Sequence, residues 1–348
     1  MSQVCTIGLD IAKNKFQVYG EDRHGRKVFN RQLLRKEVLP FFANLPACLI
    51  GIEACGGAHY WARELGKLGH EVRLIPPRQV RPFVINNKTD AADARAICEV
   101  VRRPNTNFVQ VKTLDQQHLS AIHRVRERAI GNRTALVNQI RSLLHELGII
   151  IPQGIQKFRK ALPAILTFEN SQIPHGMVSL FQSLYEELCL WEERIKTIEE
   201  QLHSIAKNNE SCARLMKIPG VGVLTASAIV AHVGDARHFK NGRQFAASLG
   251  LTPRECSSGG KQKLLGISKR GNKYIRKLLI QGARILCIWW NRNMTKEGQW
   301  RRLWLQQLTA RRGKFVAAVA QANKTARIIW NVLARGVEYD ENRKEYSY

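Results

Sequence analysis

Acidic residues are scarcest where this chain is most basic. Between Ala236 and Val337 stand 22 Lys and Arg against two acids, Glu255 and Glu297, a net +20 of the +27 carried by all 348 residues. Self-repulsion of that size excludes a segment that works alone in water. A polyanion must neutralise it, and nucleic acid is the usual one. Also missing are any CxxC and any Cys/His pair at zinc-ligand spacing. The eight cysteines (Cys5, Cys48, Cys55, Cys98, Cys189, Cys212, Cys256, Cys287) are scattered, mostly among apolar neighbours. That excludes a zinc finger and a disulfide framework and reads as free thiols in a reducing compartment. No apolar run approaches the roughly 20 residues that cross a bilayer. The start, MSQVCTIGLDIAKN, lacks the basic and apolar stretches of a signal peptide. The expectation is a cytoplasmic protein with no membrane partner. Repeats and low-complexity tracts are absent as well.

With 44% hydrophobic residues and a mean hydropathy of −0.27, the chain can bury a core, and its length suggests more than one domain. The first hundred residues read as α/β. Strands are expected at Val4–Ala12, Lys15–Glu21 and Lys27–Leu33, and helical spacing over Glu37–Leu45. A buried strand at Cys48–Ala54, a helix at His59–Leu68, a strand at Glu71–Pro76 and a helix from Thr89 to Arg102 follow. Three meandering strands followed by alternating helices and strands is the order of the RNase H-like fold.

The rest reads as all-α. Gln116–Leu147 is one long helical stretch with few breakers, and an irregular loop interrupted by Pro163 runs to Pro174. Met177, Phe181, Leu184, Leu188, Trp191, Ile195, Ile198, Leu202 and Ile205 then recur at alternating intervals of four and three, a heptad seam. Such a seam is either the core face of a bundle, with Gln116–Leu147 as its antiparallel partner, or a coiled coil that also pairs two subunits. The expected division is 1–111, an α/β domain; 112–210, a helical and coiled-coil spacer; 211–337, a basic helical domain; and 338–348, a charged tail.

Four carboxylates stand out. Asp10 lies inside the first strand and Glu53 closes another, both in apolar runs where a lone charge costs several kcal/mol. The first and fourth strands of an RNase H-like sheet are neighbours, so these two acids face each other. Asp90 and Asp93 are three apart at a helix start, hence on one face near its positive end. Taken singly, Asp-x-x-Asp is a capping device and a strand-end Glu an ion-pair partner. Together they form an oxygen-only set that repels itself and suits Mg²⁺ or Mn²⁺, ions that support phosphoryl transfer.

In the basic segment, Leu215–Asp235 reads as a helix-hairpin-helix around Ile218-Pro219-Gly220-Val221-Gly222. Gly220 and Gly222 would let backbone N–H groups approach a phosphate, though a plain packing turn is the bland alternative. Ser257-Ser258-Gly259-Gly260 reads as a flexible loop amid Arg254, Lys261, Lys263, Lys269 and Arg270, with Lys273, Arg276 and Lys277 beyond. It is either a solvated turn or an arm carrying a serine nucleophile to a phosphorus atom.

The pieces GLDIAK (8–13), GIEACGG (51–57), KTDAADARAI (88–97), IPGVG (218–222) and FAASLGLTPRECSSGGK with GISKRGNKYIRKLL (245–279) run in one order along most of the chain. In them the chain resembles bacterial insertion-sequence transposases with a RuvC-like DEDD domain, the family guided by a bridge RNA, and within it the subgroup bearing Ser-Ser-Gly-Gly-Lys. The resemblance implies that Asp10, Glu53, Asp90 and Asp93 are the metal-binding catalytic set. It also implies that a loop serine is the nucleophile, Ser257 or Ser258, with Ser257 preferred, and that the enzyme recombines element and target DNA. A structured guide RNA and a homo-oligomer, dimer or tetramer, would be its partners. The rival readings are a RuvC-like junction nuclease with water as nucleophile and a non-catalytic basic nucleic-acid-binding protein.

Overall fold

A computed structural model describes residues 3–85, 87, 89–167, 173–292 and 299–340. Lys88, the first residue of the third motif, and the tail beyond residue 340 lie outside the described residues. The chain divides into two compact units, Met1–Thr113 and Leu114–Tyr348.

The first unit is a five-stranded sheet with helices. Its strands are β1 (Thr6–Ile11), β2 (Lys15–Glu21), β3 (Lys27–Leu34), β4 (Leu49–Glu53) and β5 (Glu71–Ile75). Its helices are α1 (Val38–Ala43), α2 (Ala58–Lys67), the short α3 (Pro77–Val80) and α4 (Asp90–Val101). The sheet order is β3-β2-β1-β4-β5. β1 to β3 are antiparallel, as short turns require, whereas β4 and β5 run parallel to β1 because helices intervene. This mixed sheet is consistent with the RNase H-like order expected from the sequence. Ile7, Leu9, Ile50, Ile52 and Leu74 are fully buried, as the near-continuous apolar strands predict.

One contact decides where α4 lies. Gly8 and Gly51 are partners across β1 and β4. A Cβ on Gly8 would stand 1.9 Å from the Ala94 carbonyl oxygen, and one on Gly51 would stand 2.9 Å from Val101 Cβ. The paired glycines form a floor without side chains, on which α4 lies directly against the sheet.

The second unit joins the long helices to the basic segment. It comprises α5 (Leu114–Glu146), α6 (Ile155–Ile165), α7 (His175–Lys207), α8 (Glu210–Met216), α9 (Val223–Val233) and α10 (Gly242–Ser248). A two-stranded hairpin, β6 (Pro253–Glu255) and β7 (Leu264–Ile267), follows, then α11 (Lys273–Arg292), α12 (Gln299–Arg312) and α13 (Lys314–Arg335). α7 packs on α5, and both contact α9. The spacer expected at 112–210 thus belongs to the same unit as the helices that follow it.

Two expectations change here. The stretch read as an irregular loop contains α6, whose Phe158 and Leu162 are fully buried with Leu136, Val137, Ile140 and Leu144 of α5. Burial of that apolar face offsets Pro163, which lies in the last turn of α6 and interrupts its hydrogen bonding. The Ser-Ser-Gly-Gly stretch, read as a flexible loop, closes the β6–β7 hairpin. Gly259 and Gly260 both have positive φ, 56° and 75°, the requirement of a two-residue hairpin turn of the primed type.

Candidate functional sites

Side chains two apart on a strand share a face. Asp10 therefore lies on the face of β1 that carries Gly8, and Glu53 on the face of β4 that carries Gly51. That is the face covered by α4. The β1–β4 register, continued one step past Leu9 and Ile52, sets Asp10 beside Glu53. From the other side α4 supplies Asp90 and Asp93 in its first turn. Thr89 caps this helix by accepting from the Ala92 N–H at 3.2 Å, while its carbonyl accepts from the Asp93 N–H at 2.9 Å. So the structure brings the four sequence-predicted acids together.

Their mutual field is visible in the protonation of Asp10. Burial, then the charges of Asp93, Asp90 and Glu53 in that order, raise its carboxyl to about 6. The neighbouring Cys55 thiol is pushed up as well, by burial and then by Glu53 and Asp10. Among the described residues no three His, Cys, Asp or Glu side chains stand as a finished cage for an ion. What is present is the chemistry of the donor set: oxygen ligands only, close enough that the charges of Asp93, Asp90 and Glu53 raise the Asp10 carboxyl. That set fits a hard divalent cation, whose charge would relieve the repulsion.

The sequence missed the device that assembles this set. Gly8 and Gly51 read as ordinary strand residues, and a small residue in each of two adjacent strands was the available signal.

In the second unit the hairpin orders the two serines differently. Ser258 is a turn residue, its carbonyl accepting from the Lys261 N–H at 3.0 Å. Ser257 lies one residue before it, past the end of β6, where its hydroxyl donates to Glu255 Oε1 at 2.6 Å and accepts from the Lys263 N–H at 3.3 Å. Gln262 donates to the same carboxylate oxygen at 3.3 Å. These hydrogen bonds, Ser257's first, hold the Glu255 carboxyl below its usual range. Arg254, Lys261, Lys263, Lys269, Arg270 and Lys273 are all exposed around the hairpin and its exit.

Arg276 and Lys277 stand apart from that set. Arg276 is buried, its guanidinium donating to the carbonyls of Leu249 at 2.9 Å and Arg270 at 3.4 Å. It braces the chain below the hairpin and is removed from the surface cations expected to meet phosphate. Lys277 is exposed and pairs with Glu127 of α5 at 2.9 Å.

The glycines of the turn between α8 and α9 also separate. A Cβ on Gly220 would meet Leu286 at 2.7 Å, and one on Gly282 would meet the Gly220 carbonyl at 2.0 Å, so Gly220 serves close packing against α11. Gly222 has open space around its Cα. A cavity of about 300 Å³ lined by Ile218, Pro219, Gly220, Gly222, Gly282 and Ile285 lies beside this turn.

Sequence comparison addresses the same two regions. A family model described as "Transposase" matches residues 7–149, which include the acidic cluster, and one described as "Transposase IS116/IS110/IS902 family" matches 212–299, which include the hairpin. A "Probable family 20 transposase" of Pseudomonas aeruginosa is 47% identical over 96% of this chain and 98% of its own length. The chain belongs to the IS110/IS116 transposase family. Another relative, the "Transposase for insertion sequence element IS1111A" of Coxiella burnetii, is 43% identical over 97% of this chain and 92% of its own. A more distant one, a "Pilin gene-inverting protein" of Moraxella bovis, is 24% identical over 80% of this chain and 82% of its own. As a family transposase, the chain is an enzyme that binds DNA and cuts and rejoins it in transposition. Among its described residues no helix is long and apolar enough to cross a membrane.

Proposed function

We propose that this transposase carries out phosphoryl transfer on DNA with two parts: an RNase H-like acidic site of Asp10, Glu53, Asp90 and Asp93, and Ser257 as the nucleophile. The observation that carries the reading is the glycine floor, which brings α4 and its two acids down onto the strand ends bearing the other two. The four carboxylates would hold a divalent cation, Mg²⁺ or Mn²⁺. When bound, it supplies neutralisation of the charge that develops on the reacting phosphate. The residues' own contribution is to keep those carboxylates fixed on rigid elements.

Ser257 is preferred over Ser258 because its hydroxyl is placed on a carboxylate, whereas Ser258 is committed to the turn. The exposed cations flanking the hairpin would hold the DNA backbone and counter the charge growing on the phosphate. Base recognition is assigned to a structured RNA from the element, and the active form to a homo-oligomer. The division of labour that accompanies this reading is a catalytic domain over 1–111, then a helical spacer over 112–210 and a basic region over 211–337, the last two joined in one compact unit.

Asp93→Asn should abolish excision of the element while leaving DNA affinity equal or raised, because it removes a negative charge from a polyanion-binding protein. Ser257→Ala should abolish a denaturation-resistant protein–DNA adduct, and Ser258→Ala should be milder. Metal-dependent cleavage without any adduct would favour the hydrolytic nuclease reading. Binding with no cleavage at all would favour a non-catalytic role. Absence of a co-purifying RNA from cells carrying the whole element would remove the guide.

A further inference from the structure

One acid stands inside the most basic surface of the chain, and it stands on the serine. Only Glu255 and Glu297 interrupt the 22 Lys and Arg between Ala236 and Val337. A carboxylate on a surface that meets phosphate weakens binding by repulsion, so its presence there needs another reason. Glu255 and Ser257 are two apart, on one face of the chain as it leaves β6. The Gly259-Gly260 turn brings Gln262 and Lys263 back against them. The result is a bracket in which the Ser257 hydroxyl donates to Glu255 Oε1 at 2.6 Å and accepts from the Lys263 N–H at 3.3 Å, while Gln262 donates to the same carboxylate oxygen at 3.3 Å.

We propose that Glu255 is the catalytic proton acceptor for Ser257, an inference that rests on Ser257 being the nucleophile. In cleavage, Ser257 Oγ bonds to phosphorus as its proton passes to Glu255 Oε1. The bond from phosphorus to the leaving deoxyribose oxygen breaks with its electron pair, and that oxygen takes a proton from water. Glu255 then returns its proton to solvent. Rejoining runs the same path backwards: a sugar hydroxyl attacks the phosphoserine and releases its proton to water, and Glu255, reprotonated, gives its proton to the departing Oγ. A carboxylate is a weak base against a resting hydroxyl, so the transfer proceeds with bond formation, when the serine proton has become acidic. The hydrogen bonds to Glu255 keep it ionised and ready to accept.

Glu255→Gln separates this role from a turn-stabilising one. The amide keeps the oxygen that accepts from Ser257 and Gln262 but cannot take up a proton, whereas Glu255→Asp keeps the base on a shorter stem. Cells carrying the intact insertion sequence with its flanking noncoding DNA on a plasmid supply every partner. The readouts are covalent protein–DNA adduct after denaturation and rejoined product. Melting temperature and affinity for plain duplex DNA of the purified full-length variants serve as controls.

Glu255→Gln should lower adduct and product at least tenfold, with melting temperature unchanged and duplex affinity equal or higher. Glu255→Asp should recover activity relative to Gln, an order that a merely structural acceptor would not produce. Adduct in Glu255→Gln within twofold of wild type would overturn the proton-acceptor role while the serine reading stood on Ser257→Ala. Adduct persisting in Ser257→Ala, or none in the wild type, would overturn the serine reading and this inference with it.

Discussion

At the scale of single residues, the acidic site depends as much on two missing side chains as on four present ones. Gly8 and Gly51 leave no atoms between strand and helix, so α4 sits low enough to bring Asp90 and Asp93 to Asp10. Gly8→Ala asks for a Cβ 1.9 Å from a backbone oxygen, and no rotamer relieves that. The helix must lift, and overpacking of this kind typically costs about 1–3 kcal/mol. The expected outcome is a folded but less stable first unit with excision reduced far more than stability, measured by calorimetry beside an excision assay. A second residue predicts a pH effect. His123 is buried between Ser227 and Tyr274, at 3.0 and 3.1 Å, and burial, aided by Arg126, lowers its pKa from 6.5 to about 4. The folded chain therefore keeps His123 neutral where the unfolded chain takes up a proton. Stability from this group is intact above about 6.5 and is lost as pH falls toward about 4. Between pH 7 and pH 4.5 the loss should be about 2 kcal/mol. Because every other group is common to both proteins, comparing denaturation of the wild type with His123→Gln isolates the His123 contribution. Equal pH dependence in the two would refute it.

Elements were legible in the sequence where one physical signal dominated. β1, β4 and β5 are short apolar runs between breakers. α7 is a heptad seam from Met177 to Ile205, and α4 begins at a Thr cap with acids in its first turn. What the seam packs against was not legible, because a/d spacing is the same for an intrachain partner and a second subunit. The structure covers it with α5, burying Phe181, Leu188, Ile195, Ile198 and Leu202. α6 escaped notice because its stability comes from long-range burial of Phe158 and Leu162, which local pattern does not record. The hairpin escaped because Gly-Gly signals flexibility and a primed turn equally well. The acid pair Asp10 and Glu53 was readable as charges in apolar strands, but the Ser257–Glu255 contact needed the hairpin register. With the seam internal, Leu188→Lys buries a charge in the core of the second unit and should cost several kcal/mol. Leu190→Lys on the exposed side should stay within about 0.5 kcal/mol. Urea denaturation decides this: comparable losses would mean the Leu190 face is covered too.

For the whole molecule, charge placement predicts a division of labour. The segment with 22 basic residues and two acids lies entirely in the second unit, whereas the acidic cluster lies in the first. Nucleic-acid affinity should therefore reside in the second unit and weaken steeply with salt, as counterions released on binding are reclaimed. A fragment that tests this must begin at Leu114. One beginning at Cys212 would strip α5 and α7 from α9, exposing Ala231 and its neighbours, which pack against Leu119, Ile122, Ile198 and Leu202. It would also remove His123 and Glu127, partners of Tyr274 and Lys277 on α11, the helix that follows the hairpin. The fragment from Leu114 should bind random duplex DNA about as tightly as the full chain. Between 50 and 200 mM salt its affinity should fall on the order of a thousandfold if six or more phosphates are contacted. Lys261→Ala and Arg270→Ala should each lower affinity for all sequences alike and make the salt dependence shallower. Arg276→Ala should instead lower the melting temperature, since its guanidinium holds the carbonyls of Leu249 and Arg270. Fluorescence anisotropy across a salt series settles the point. Equal affinity in the fragment from Met1 to Thr113, or a salt slope unchanged by removing surface cations, would place the DNA grip elsewhere.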